Sequence, residues 1–122
     1  MRTTLRKFEH QSGLKARLGM HGHAVALPSD VQLQLLHVVQ EALSNVRKHA
    51  QASQVQVEVH RGPKWVFLVR DNGQGFDPDD RTQADTHVGL QIMRERAQRI
   101  GAGIEVNSRA GQGTEVRIEL NA

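Results

Sequence analysis

The sequence predicts an α/β (α+β) fold: a two-layer sandwich in which a mixed, mostly antiparallel sheet carries its helices on one face. Three observations carry this. Residues 54–60 (QVQVEVH) and 114–120 alternate apolar and polar side chains, as half-buried strands do. Val31, Leu35, Val38, Val39, Ala42, Val46 and Ala50 recur at helical spacing. The predicted order is strand, helix, strand, strand, loop, helix, strand, strand. Two hairpins then make antiparallel neighbours, and the amphipathic helices must bury their apolar stripes on one sheet face. A length of 122 residues fits one domain with a core of its own.

Each element has its own signal. Residues 1–12 are basic and helix-compatible, with Leu5 and Phe8 near one face; residues 1–10 read as a helical linker apart from a domain over 11–122. A short strand is expected at 14–20 and a loop at 21–23. A long helix should open near Pro28 and Ser29 and run to about His49, with Ser29 and Gln32 as a capping box. Trp65 to Val69 are continuously apolar, which suits a central strand covered on both faces. Asp71 to Gly75 form a glycine-rich loop, and 77–88 are polar. A second helix is expected over about 89–100, stopped by Gly101. Strands at 103–108 and 114–120 close the chain around a turn at 110–113.

Composition removes several classes of function. There is no cysteine, so neither disulfides nor a thiolate metal site. The net charge is +3, with basic residues scattered. Nucleic-acid binding would call for a basic stripe with stacking aromatics, and two of the four aromatics, Trp65 and Phe67, lie in the apolar run. No segment approaches the ~20 apolar residues of a membrane span. There is no G-x-x-x-x-G-K-[S/T], no H-E-x-x-H and no G-x-S-x-G.

Four patterns remain. Glu41, Asn45 and Lys48 fall at i, i+4 and i+7, on a stripe bordering the apolar face. An amide oxygen there suits Mg²⁺, and Lys48 suits a phosphate; a solvated face is the plainer alternative. Asp71-Asn72-Gly73-Gln74-Gly75-Phe76 follows the buried strand, where a carboxylate can accept from an exocyclic amine; it also reads as a tight turn. His87-Val88-Gly89-Leu90 would open the second helix and offer bare amides to an anion. Gly111-Gln112-Gly113-Thr114 is a hairpin turn.

In order, E-A-L-S-N-V-R-K-H-A-Q-A-S (41–53), D-N-G-Q-G-F (71–76), H-V-G-L-Q-I-M-R-E-R-A (87–97) and G-Q-G-T-E-V (111–116) resemble the ATP-binding domain shared by histidine kinases, gyrase, the ninety-kilodalton heat-shock chaperone and mismatch-repair ATPases. The chain looks most like sensor kinases of the nitrate/nitrite type. The resemblance covers about Phe8 to Leu120 and implies a Bergerat-type ATP-binding fold. It also implies the roles that follow. Asn45 ligates Mg²⁺, while Lys48 and His49 approach the phosphates or ribose. Asp71 and Thr114 read adenine. Gly73 and Gly75 begin a lid over ATP that runs to about Val88. Gly89 and Leu90 present backbone to the phosphates. Ile92 and Met93 wall the adenine pocket, where core packing accounts for them equally well. The implied catalytic set is Glu41, Asn45 and Lys48, with Glu41 supporting polarity or metal geometry rather than acting as a base.

Phosphoacceptor histidines of such kinases precede Asp or Glu. Here the seven histidines precede Gln, Gly, Ala, Val, Ala, Arg and Val. The expected partners are therefore a dimerisation and phosphoacceptor domain outside this chain and a response-regulator receiver domain, with neither nucleic acid nor a direct membrane contact. The domain itself is expected to be a cytoplasmic monomer that binds Mg·ATP without phosphorylating itself, within a dimeric, inner-membrane-anchored parent. A stand-alone anti-sigma-type serine kinase, or a non-transferring nucleotide-binding module of the same fold, is the alternative.

Overall fold

The computed structural model describes residues 2–23, 26–75, 84–109 and 111–121, with the side chains of 49, 50 and 84–87 left undescribed. The elements are α1 (Arg2–Ser12), β1 (Lys15–Gly22), α2 (Ser29–Asn45), a π-helical turn (Val46–Ala50), β2 (Gln54–Arg61), β3 (Lys64–Asp71), α3 (Ala84–Arg99), β4 (Gly103–Ser108) and β5 (Thr114–Asn121). The sheet order is β1-β2-β3-β5-β4. β1 pairs with β2 in parallel, and every other pairing is antiparallel.

Register fixes the core in rows. One row is Leu18, Val57, Val69, Val116 and Val106; the next is Met20, Val59, Phe67, Ile118 and Ile104. Successive strand residues alternate faces, so these rows and the helices share one side. α2 contributes Leu35, Val38, Val39, Ala42 and Leu43, α3 contributes Leu90 and Met93, and α1 contributes Leu5 and Phe8 to the same buried cluster. The basic N-terminal helix thus packs on the domain through the two residues its periodicity singled out.

Several local outcomes differ from expectation. β1 continues through His21 and Gly22, and the His21 ring stacks on His60 of β2 at 4.5 Å. No side-chain hydrogen bond caps α2, so the Ser29–Gln32 capping box does not form. Gln32 donates its side-chain amide to the Leu27 carbonyl instead, at 2.7 Å. α3 begins at Ala84 rather than near Gly89. Its other end matches: Gly101 has φ of 70°, its N–H meets the Gln98 carbonyl at 3.1 Å, and the Ala102 N–H meets that of Ala97 at 2.9 Å. This 5→2, 6→1 pair is the Schellman arrangement that glycine permits.

β3 is central, but its two faces are covered differently. Phe67 and Val69 meet the helical layer. Leu68, on the opposite face, is buried to 5 % exposure yet lies outside the main core cluster. Its strand neighbours there are Glu58 and Arg117. Long charged side chains of this kind can lay their aliphatic stems across Leu68 while their ends pair: Arg70 with Glu115 at 2.7 Å and Arg117 with Glu119 at 2.6 Å. Met93→Ala should therefore cost about 3 kcal/mol. Leu68→Ala should cost roughly half that, because its flexible roof can settle into the space. Urea denaturation of both variants checks the ranking, and equal losses would contradict it.

Candidate functional site

α2 carries the helical half of the site. Glu41 and Asn45 lie one turn apart and are both half-buried. They are not a solvated pair, because α3 lies directly on them. Gly89 is buried, and a Cβ placed on it would stand 2.7 Å from Glu41 Oε1, 2.9 Å from Asn45 Oδ1 and 3.1 Å from Asn45 Nδ2. Two hard oxygens from adjacent turns thus converge on one point, which only the lack of a side chain at 89 keeps open.

Immediately after Asn45 the helix widens into the π turn, ending at Gln51 in the left-handed region with φ of 50°. In an α-helix each residue advances about 100°; the i→i+5 bonding of a π turn lowers that advance. Lys48 therefore leaves the Glu41–Asn45 stripe on which constant helical spacing placed it, and it is exposed. The His49 side chain lies outside the described residues.

Gly89 is also not at a helix N-terminus. It is the sixth residue of α3, so its amide and that of Leu90 are committed to the helix instead of bare. Leu90 and Met93 are core residues, 4 % and 0 % exposed, whereas Val88 is 58 % exposed.

The sheet supplies the other half. In its last inward row, Val55 pairs with Asp71, Asp71 with Thr114, and Thr114 with Ser108. The face that is apolar in the rows below becomes carboxylate, hydroxyl and hydroxyl. Asp71 accepts from the Gly73 N–H at 2.8 Å and from the Thr114 backbone N–H. Burial nonetheless dominates and pushes its carboxyl above the ordinary value of 3.8. The Thr114 and Ser108 hydroxyls are 2.8 Å apart.

The loop after β3 is docked rather than free. Gly75 (φ 64°) sits against the carbonyls of Arg109 and Gly113, and Gly113 (φ 77°) against that of Asp71, leaving no room for a Cβ at either. The Gly111 N–H bonds the Gln74 carbonyl. Asn72 clips the loop to β2. Its Oδ1 accepts from the N–H groups of Ser53 (3.0 Å) and Gln54 (3.1 Å), and its Nδ2 donates to Ser53 Oγ at 2.8 Å. The β4–β5 hairpin also encloses a recess of about 360 Å³, lined by Val106, Asn107, Ser108, Arg109, Gln112 and Gly113. Residues 76–83, half of the expected lid, lie outside the described residues.

The two halves share one end of the molecule. Asn45 closes α2, and a short turn leads to Gln54 and Val55, the strand neighbours of the Asp71 end of β3. Sequence reasoning passed over Asn72, Ser53 and Ser108. Counting in twos from Ile104 and Val106 would have turned Ser108 inward.

The fold has known counterparts. A family model described as histidine kinase-, DNA gyrase B-, and HSP90-like ATPase matches residues 30–122, and the chain belongs to that family. Within it the similarity runs to sensor kinases. The nitrate/nitrite sensor protein NarQ of Escherichia coli is 33 % identical over 124 residues, covering 100 % of this chain and 22 % of NarQ. The nitrate/nitrite sensor protein NarX of the same organism is 43 % identical over 91 residues, covering 74 % and 15 %. The chain thus spans less than a quarter of either relative. Among solved structures, full-length ShkA in complex with AMPPNP shares the fold with a TM-score of 0.78 at 21 % identity, covering 99 % of this chain and 29 % of that one. The histidine kinase domain of the Erythrobacter litoralis EL346 blue-light activated kinase does so at 0.72 and 23 %, covering 98 % and 61 %.

Two outcomes follow from the geometry. Gly89→Ala brings a Cβ against the movable ends of Glu41 and Asn45, and the cost of swinging them aside should be offset by alanine's helix propensity, leaving the midpoint of denaturant melts within about 1 kcal/mol of the parent; a larger loss would show that the two side chains cannot move. For Asp71, a pKa raised on folding means that its contribution to stability is full below the unfolded carboxylate pKa and is lost as pH rises through the folded one. Asp71→Asn should therefore melt higher than the parent at pH 7. The gap should close as the pH drops below the carboxylate range, and a gap that does not change with pH would contradict this.

Proposed function

We propose that this domain binds Mg·ATP and positions its γ-phosphoryl group for transfer to a histidine on a separate phosphoacceptor domain, for relay to a response regulator. The supporting observation is the pairing, at one end of the fold, of two converging hard oxygens on α2 with a carboxylate at the end of a buried strand. Asn45, with Glu41 behind it, fits Mg²⁺, which takes few protein ligands and completes its shell with phosphate and water.

In this reading Asn45 is the metal ligand and Glu41 holds the local polarity. Asp71 accepts from the adenine amino group, with Thr114 beside it. Lys48, exposed on a flexible stem past the π turn, reaches the phosphates as a point charge, and His49 lies next to it on the same turn. Gly75 anchors the near side of the lid to the hairpin, with Gly73 tied to Asp71 just before it, and Val88 stands exposed at its far side. Gly89 and Leu90 offer backbone to phosphate only after the first turns of α3 draw away from Asn45, so nucleotide entry and the start of α3 are coupled. Met93 supports the pocket from within the core. Bound Mg²⁺ supplies charge neutralisation at the phosphates. The protein's own share is placement of the two ends of the nucleotide and exclusion of water, the main tasks in phosphoryl transfer.

The domain's place in a cytoplasmic, dimeric and membrane-anchored parent, with residues 1–10 as the link to the phosphoacceptor helices, belongs to the same proposal. Among the described residues no helix is long and apolar enough to cross a membrane.

Nucleotide titration with and without Mg²⁺ tests the assignment. Asn45→Ala should remove the Mg²⁺-dependent gain in affinity, at least about tenfold, and Asp71→Ala should bring ATP and GTP to equal affinity. If Asn45→Ala leaves the Mg²⁺ dependence intact, the metal assignment fails.

A further inference from the structure

We propose that Asn72 is a positioning residue that holds the metal end and the base end of the pocket at a fixed spacing, so that one nucleotide can engage both at once. The inference rests on the roles given above to Asn45 and Asp71. It is carried by where the Asn72 side chain goes. β3 ends at Asp71, which stands opposite Val55 of β2. One residue further on, the Asn72 N–H still reaches the Gln54 carbonyl at 3.4 Å, and its side chain then takes over the pairing. Oδ1 accepts from the N–H groups of Ser53 at 3.0 Å and Gln54 at 3.1 Å, and Nδ2 donates to Ser53 Oγ at 2.8 Å. Two backbone N–H groups can be met only by the amide oxygen, so the partners settle which way this side chain points.

These bonds bridge a stretch that regular structure leaves weakly tied. Between Asn45 and Ser53 the chain passes through the π turn and then Gln51 in the left-handed region. The Lys15 N–H holds the Ser53 carbonyl at 3.3 Å from the β1 side. Asn72 holds the Ser53 N–H from the β3 side. It thereby joins the segment leaving the Asn45 helix to the residue directly after Asp71. All four bonds of Asn72 run to Ser53 and Gln54, so it acts on the spacing between the two functional groups and not on the chemistry of either. A ligand gripped at both ends gains from its second grip through the effective concentration that a firm frame provides. A frame free to splay loses that gain, while each grip alone keeps its strength.

Three ligands separate these effects by isothermal titration of the intact chain. Mg·ATP engages both ends, ATP in EDTA engages the base end, and Mg·GTP engages the metal end. Asn72→Ala should weaken Mg·ATP about tenfold and leave the other two within about twofold. The Mg²⁺ gain and the ATP preference then shrink by the same factor. Asn72→Asp, whose carboxylate can accept from both amides and from the Ser53 hydroxyl, should recover most of the loss. Ser53→Ala, which removes one bond of the clip, should show the same pattern at about threefold. A uniform fall for all three ligands makes Asn72 a structural brace and overturns the inference. So does a fall that Mg·ATP shares with only one of the others, an unchanged Mg·ATP affinity, or no recovery in Asn72→Asp. Each of these spares the functional reading. A parent chain with neither a Mg²⁺ gain nor a preference for ATP overturns both.

Discussion

The approach of α3 to α2 at Gly89 is the contact on which this end of the molecule depends. A side chain at that position would stand inside van der Waals distance of the ends of Glu41 and Asn45, so its absence lets the helices close with those two side chains where they are. Closure half-buries a carboxylate and an amide that an isolated amphipathic helix would leave in water. Leu90, Met93 and Ala97 then seat α3 in the core at i, i+3 and i+7, and Arg96 donates to Gln34 across the same helix pair at 3.1 Å. The polar pair is held over the end of the sheet by apolar packing farther along, and the site inherits its geometry from the core.

The sheet makes its contribution by the same economy. Its inward rows are apolar until the last, where Asp71, Thr114 and Ser108 follow in register. No special element builds the carboxylate site. It is the next row of a regular sheet with its residues exchanged for polar ones, braced by glycines whose positive φ lets the loop and hairpin backbones meet. Keeping Asp71 half-buried has a cost in charge solvation, which the amides of Gly73 and Thr114 offset only in part. That stored cost would be relieved by the donor that the proposed adenine role brings to it.

Much of this was legible in the sequence, for reasons that can be assigned. Strict alternation in Gln54–His60 and Thr114–Leu120 fixed strands and inward faces, because a half-buried strand admits no other pattern. Gly101 announced the end of α3 through its backbone freedom. The start of α3 was hidden, since Gly89 looks like a helix opener when the reason for a glycine there is the neighbouring helix. The displacement of Lys48 was hidden too: a π turn has the same composition as an α turn and differs only in hydrogen-bond register. Leu68 showed that a continuous apolar strand need not have a second protein layer above it when arginine and glutamate stems can lie across it. Ser108 and Asn72 were missed because a serine at a strand end and an asparagine in a turn are ordinary by type and acquire roles only through pairing.

The central claim is that Asn45 and Asp71 hold opposite ends of one nucleotide. Replacing Mg²⁺ with paramagnetic Mn²⁺ in an ATP complex and recording amide NMR spectra tests it directly. The account predicts that signals around Asn45 and Gly89 broaden beyond detection, while those around Asp71 and Thr114 shift on ATP binding and stay visible. Broadening centred on Asp71, or none near Asn45, would contradict it.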